Sequence, residues 1–211
     1  MSKIVVPGEV LADKPLRIEN TFTENGKTYS TVLGVYESER SILIPLEGLW
    51  YPARDDVVIG IIEDARMNSY SVELNAPYKG IIVAKYVEGR LQRGDIVEST
   101  VRMLDETKTV VLTRPRKLLG GKIIDVRPSK VARIIGKGNT MLNQLKTSTK
   151  ANIIVGMNGR VWIKGGNIAL ATNALVKIQE EAHTNGLTER IKVMLEESGA
   201  RKMNEGSIRG E

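Results

Sequence analysis

The chain has 211 residues, of which 41% are hydrophobic, with one Phe, two Trp and no cysteine. This length allows two or three compact units with Ile, Val and Leu cores, and the absent cysteines exclude disulfides, thiolate metal sites and cysteine nucleophiles. The net charge is +6, but the stretch from Arg114 to Lys150 alone holds ten Lys or Arg against a single acid, Asp125, so it carries +9 and the remainder −3. A localised basic block of this kind is the footprint of a phosphate-backbone binder.

The opening segment, MSKIVVPGEV, is too short in its apolar part for a signal peptide, and no apolar run reaches the ~18 residues of a membrane span. A soluble, cytoplasmic protein without membrane contact is expected. Residues 1–53 read as a small β domain. Thr21 to Glu24 and Thr28 to Val32 flank Asn25-Gly26, a dipeptide whose tolerance of positive φ suits a type I′ hairpin turn. Ser41 to Leu46 is a further strand.

Residues 54–114 read as a second β unit. Val57 to Ile62 is a near-continuous apolar strand, and Ser69 to Leu74 alternates with period two. Gly80 to Val83, Ile96 to Val101 and Lys108 to Thr113 complete five short strands, the number of a small OB-type barrel. From residue 118 the pattern becomes mixed. A strand at Lys122 to Val126 precedes a short helix opened by Pro128-Ser129-Lys130, with Ser129 as its expected cap. A second helix spans Asn139 to Thr149, and Met141, Leu142 and Leu145 share one of its faces. Ala151 to Val155, the turn dipeptide Asn158-Gly159 and Arg160 to Lys164 form a hairpin, and a long helix covers Asn167 to Glu181. The order is βααββα. Thr188 is the expected cap of a final helix to Glu197, the unit of residues 118–199 ends just beyond it, and residues 200–211 form a flexible polar tail.

The segment Arg133-Ile134-Ile135-Gly136-Lys137-Gly138-Asn139 joins the two short helices inside the basic block. Gly136 allows close backbone approach, the amides opening the second helix suit phosphate oxygens, and Lys137 adds a mobile charge at the tip. Arg127, Lys130 and Arg133 can add more. Taken alone, the glycines could serve an ordinary helix–helix turn. Within this fold order and this charge they point to RNA.

The segment resembles a type I KH domain, whose GXXG loop clamps about four nucleotides. The second glycine is replaced here by Asn139, a residue that tolerates left-handed φ. The preceding barrel resembles an S1-type OB fold, for which Tyr70 and Tyr78 are the stacking candidates, with Arg66 and Lys79 beside them. Met67 stands where a ring is usual in such a face. The whole order, a multidomain α+β chain, resembles the RNA-binding cap subunits of the archaeal RNA exosome. Val5 to Glu9, Tyr29 to Val35, Pro128 to Lys137 and Glu180 to Thr188 carry that resemblance. It implies three copies on a hexameric ring of phosphorolytic exoribonuclease subunits. The S1 barrels would surround the central pore, the KH domains would lie outward, and the N-terminal domain would dock on the ring. Single-stranded RNA would be guided inward and not cut.

A catalytic reading finds little support. His183 is the only histidine, so no two-histidine metal site exists. Glu180 and Glu181 are helix neighbours that point in different directions. No catalytic residue, metal or cofactor is expected. The alternative is a free-standing S1/KH factor, such as an RNA chaperone or ribosome-associated protein, which would have no evident use for the first domain.

Overall fold

A computed structural model describes residues 2–18, 20–39, 41–46, 48–182 and 186–196. The chain divides into two compact units, Met1–Leu49 and Trp50–Glu211.

The first unit has strands β1 (Ser2–Val5), β2 (Val10–Ala12), β3 (Thr21–Glu24), β4 (Lys27–Ser30), β5 (Gly34–Glu37) and β6 (Ile42–Pro45). They form two three-stranded sheets, β1-β5-β6 and β2-β4-β3. The β3–β4 turn is the one expected: Asn25 and Gly26 have φ of 50° and 76°. Val5, Tyr36 and Leu43 form the small core. Thr28 is buried because its Oγ1 donates to Lys14 O and accepts from Leu16 N, both at 2.8 Å. Apolar side chains also stand on the outer faces. Ile4 and Ile42 lie exposed on one sheet, and on the other Val10 pairs with Tyr29, whose ring stacks on Phe22 at 5.1 Å.

The second unit opens with a closed barrel of β7 (Val57–Ala65), β8 (Ser69–Glu73), β9 (Lys79–Val83), β10 (Ile96–Leu104) and β11 (Thr109–Leu118), in the order β10-β11-β9-β8-β7. Only the β9–β11 pair is parallel. A 3₁₀ turn, Ala84–Tyr86, follows β9. The remainder is β12 (Lys122–Asp125), α1 (Val131–Ile135), α2 (Thr140–Thr149), β13 (Asn152–Val155), β14 (Arg160–Lys164), α3 (Ile168–Glu180) and a helix α4 over residues 187–196. The sheet order is β12-β14-β13, and α1, α2 and α3 pack on it through Ile134, Leu145, Leu175 and Ile178. Asn167 caps α3 by accepting from Leu170 N at 3.2 Å. Two expected caps fall elsewhere. Ser129 lies inside a 3₁₀ turn, Pro128–Lys130, and Thr188 lies inside α4 behind Gly186, whose carbonyl takes the first helical bond.

The β13–β14 hairpin also departs from expectation, and the departure joins two domains. Its loop is four residues long, Gly156 to Gly159, and Asn158 is fully buried against the barrel. Strand β8 ends at Glu73, which pairs with the Ile61–Ile62 stretch, so β7 has no strand partner on that side at Ile59. The Asn158 amide takes the missing place. Its Oδ1 accepts from Ile59 N at 3.2 Å, and its Nδ2 donates to Ile59 O at 2.8 Å and Leu74 O at 2.7 Å. Met157 N continues along β7 to Val57 O at 2.8 Å. Beside it the buried Arg160 donates to Glu73 O at 3.1 Å and to Glu73 Oε2 at 2.5 Å. Trp162, Leu118 and Ile59 fill an apolar cluster under the joint. A side-chain amide thus closes an open strand edge that would otherwise hold unpaired backbone groups.

Candidate nucleic-acid interface

The loop between α1 and α2 holds three unusual backbone conformations within four residues. Gly136 has φ 73° and ψ 167°, a region that is essentially glycine-only. A Cβ there would meet Met141 N at 2.8 Å, so the chain passes close over the start of α2. Gly138 (φ 59°, ψ 32°) and Asn139 (φ 64°, ψ 16°) are both left-handed. Asn139 therefore adopts the conformation its position as a glycine substitute demands. A Cβ on Gly138 would point into open space. Gly136 is half-buried, and Lys137, Gly138, Asn139 and Arg133 are exposed. Two amides at the opening of α2 are already satisfied, Asn139 N by Gly136 O at 3.2 Å and Thr140 N by Lys137 O, so what the turn presents to a ligand is chiefly its two exposed cations, Arg133 and Lys137. Arg133, Lys137, Gly136 and Thr140 line one cleft of about 360 Å³, closed on its far side by Gly186 and Leu187.

On the other side of the loop lies a larger cleft of about 550 Å³. Ile135, Leu142 and Ile154 give it apolar lining, Asn139 and Lys146 add polar groups, and the barrel contributes Asp55, Glu98 and Arg116. Glu98 is paired with Arg116, whose Nε donates to it at 2.7 Å. Nothing in the linear sequence indicated that the barrel walls this groove, because the contact depends on the Asn158 joint.

Two sequence-expected contacts need correction. Tyr70 is buried in the barrel core with Val72 and Ile82, since it shares the inward phase of β8, so it offers no face for stacking. Lys130 is buried at the end of its 3₁₀ turn and is a poor phosphate contact. Arg127 is exposed, and its amide donates to Gln179 Oε1 at 2.9 Å. Arg66 is exposed and ion-paired with Asp64 at 2.9 Å. Tyr78 is half-buried at the mouth of the barrel, its ring 5.8 Å from Tyr51 in an edge-to-face contact, and Lys79 is exposed next to it. Tyr51 is an exposed ring that sequence reading missed. Met67 is 94% exposed at the β7–β8 turn. His183 lies outside the described residues. Among the described residues, no group of three or more His, Asp or Glu could hold a metal, and no helix is long and apolar enough to cross a membrane.

Comparison with known proteins is decisive at the family level. A KH domain family matches residues 121–169, and the family described as the exosome RNA binding protein RRP4 N-terminal domain matches residues 2–47. The chain is 39% identical over 217 residues to the exosome complex component Rrp4 of Thermococcus kodakarensis, covering 92% of this chain and 84% of that protein. The chain belongs to the Rrp4 family of exosome complex components. The Methanobrevibacter smithii member is 40% identical over 206 residues, covering 90% of this chain and 69% of its own. A crystal structure described as an exosome complex RNA-binding protein superposes with a TM-score of 0.66 at 31% identity, covering 74% of this chain and 99% of that one. The α+β architecture of β domain, barrel and KH domain is thus that of the Rrp4 family.

Proposed function

We propose that this Rrp4-family chain is a non-catalytic RNA-binding subunit that caps an exosome-type ring in the cytoplasm and leads single-stranded 3′ ends to its pore. The observation that carries this reading is the Gly136-Lys137-Gly138-Asn139 loop, with its glycine-only and left-handed backbone, at the centre of the basic block. Arg133 and Lys137 hold phosphates there, and the groove of Ile135, Leu142 and Ile154 takes the bases. Tyr78 and Lys79 on the barrel, with Arg127 and Arg66 at the margins, extend the path. The exposed Ile4, Ile42, Val10 and Phe22 favour docking by the N-terminal unit, because so small a domain gains nothing in water from apolar rows on both its outer faces. Three copies per hexameric ring of phosphorolytic exoribonuclease subunits is the assembly proposed.

The test is light scattering coupled to size-exclusion chromatography, with and without the ring, together with incubation of labelled RNA. A mass increase of three chains per ring, and RNA left intact by the free chain with or without phosphate, are expected. Shortening of RNA by the pure chain, or no association with the ring, overturns the proposal.

A further inference from the structure

The barrel strands β10 and β11 do not pair evenly. Glu98 faces Arg116 and Thr100 faces Thr113, so β11 carries an extra residue between them. Val101 faces Leu112 and Met103 faces Val111, so here the extra residue is Arg102 on β10. Two bulges of opposite sense therefore lie a few residues apart, and each carries an arginine. Arg114 sits in the first with φ 51°, followed by Pro115, which has no N–H to lose from the ladder. Bulges re-aim side chains and gather beside binding sites, and a left-handed non-glycine residue stores strain of the kind found there.

Arg102 and Arg114 converge on one cleft of about 460 Å³ with Arg54, Tyr86, Thr100 and Thr113. Tyr86 is 47% exposed and Lys85 Nζ lies 4.9 Å from its ring centre. Three other barrel cations are neutralised locally: Arg66 by Asp64, Arg116 by Glu98 and Lys117 by Asp95. Among the described residues, no carboxylate pairs with Arg102 or Arg114. Asp55, which also lines the cleft, sits 3.9 Å from Arg54.

We infer that this cleft is a second RNA subsite, separate from the KH loop, in which Arg102 and Arg114 each hold a backbone phosphate and Tyr86 stacks an adjoining base. Guanidinium groups match phosphate oxygens two at a time, and a tyrosine face accepts any base, so the site holds single strands without choosing sequence. The inference rests on the RNA-binding reading above and adds to it a contact on the β10–β11 face of the barrel.

The experiment uses the full chain and a labelled single-stranded RNA about 16 nucleotides long, the upper span of one OB fold, with anisotropy read across a salt series. Replacing both arginines (Arg102→Gln with Arg114→Gln) should weaken binding and flatten the log–log salt slope by about 1.4, two neutralised phosphates at ~0.7 each. Tyr86→Ala should weaken binding about 5- to 150-fold and leave the slope unchanged, as loss of one stacked base does. If the double variant loses its fold by circular dichroism, Arg102→Gln alone reads the same slope at about half the change. A KH-loop variant, Lys137→Asp with Gly138→Asp, runs alongside. If it weakens binding while the cleft variants match the wild type, the second subsite is overturned and the RNA-binding reading stands. If the wild-type chain does not bind RNA, both fall.

Discussion

Asn158→Ala should be the most damaging small substitution in the second unit. The side chain is fully buried and its three hydrogen bonds reach only barrel backbone: Ile59 N at 3.2 Å, Ile59 O at 2.8 Å and Leu74 O at 2.7 Å. Removing it leaves one N–H and two carbonyls without partners inside a packed joint. At about 2 kcal/mol for the N–H and ~1 kcal/mol for each carbonyl, the loss is about 4 kcal/mol. That is a third or more of the total stability of most domains. Urea unfolding followed by tryptophan fluorescence reads it directly. Trp162 lies in the joint and Trp50 in the barrel, where its Nε1 donates to Asp56 Oδ2 at 2.9 Å. The wild type should unfold its barrel and KH domain together, and the variant should show two transitions with the first shifted to lower urea. Asn158→Leu fills the same space without pairing the backbone, so it should be about as harmful. A loss under ~1 kcal/mol in Asn158→Ala, with a single transition, or full rescue by Leu, would refute the hydrogen-bond account.

The double change Lys137→Asp and Gly138→Asp should weaken RNA binding evenly across sequences, since phosphate contacts position a strand and do not specify it; filter binding to homopolymers checks this, and one polymer alone affected would contradict it. Asn139→Gly should fold and bind as the parent does, whereas Asn139→Val should cost about 1–2 kcal/mol of stability because a β-branched residue resists left-handed φ; equal melting of the two would contradict the loop geometry. Asp105 is held below the usual carboxylate range by the Thr107 side chain and by the Thr109 and Thr107 amides. For Asp95, burial pushes upward but Lys117 and the Gln92 amide prevail and lower it. A folded value below the unfolded one means that each contribution is complete above the ordinary value of 3.8 and is lost as pH falls through the lower folded value. The melting temperature of wild type should therefore drop below pH 4 more steeply than that of Asp105→Asn, measured by circular dichroism; parallel curves would contradict it.

Sequence features that act locally were legible, and those that depend on distant partners were not. Two of the Asn-Gly dipeptides make the contrast. Asn25-Gly26 forms a turn whose geometry is set by its own two residues. Asn158-Gly159 also sits in a hairpin, but Asn158 works as a key for a residue 99 positions away, which no local pattern could disclose. The loop from Gly136 to Asn139 was legible because its backbone requirements are carried by its own residue types. Tyr70 was misread for a different reason. Period-two alternation was recognised, but Tyr70 shares its phase with Val72 and Leu74, and that phase faces the core. The same rule would have directed attention to the exposed rings outside regular strands, Tyr51 and Tyr86. The paired bulges that carry Arg102 and Arg114 arise from strand register, which the sequence does not spell out.

On the proposed RNA-binding reading, the joint bears on binding as well as on stability. The loop offers two free-standing cations and the barrel has few exposed rings, so each site alone should hold a strand weakly. Fixed to one another by Asn158 and Arg160, they would act on the same strand as a pre-arranged pair. The second contact is then made at high effective concentration, with no further ordering of domains. Asn158→Ala should therefore weaken RNA binding although Asn158 contacts only protein. The measurement is anisotropy at a temperature where circular dichroism shows the variant folded. A strand long enough to reach both sites should lose affinity, and one too short to span them should bind as tightly as it does to the wild type. Equal affinity of the long strand for both proteins would mean that the sites do not cooperate through the joint. Equal loss for long and short strands would mean that the substitution had damaged the loop itself.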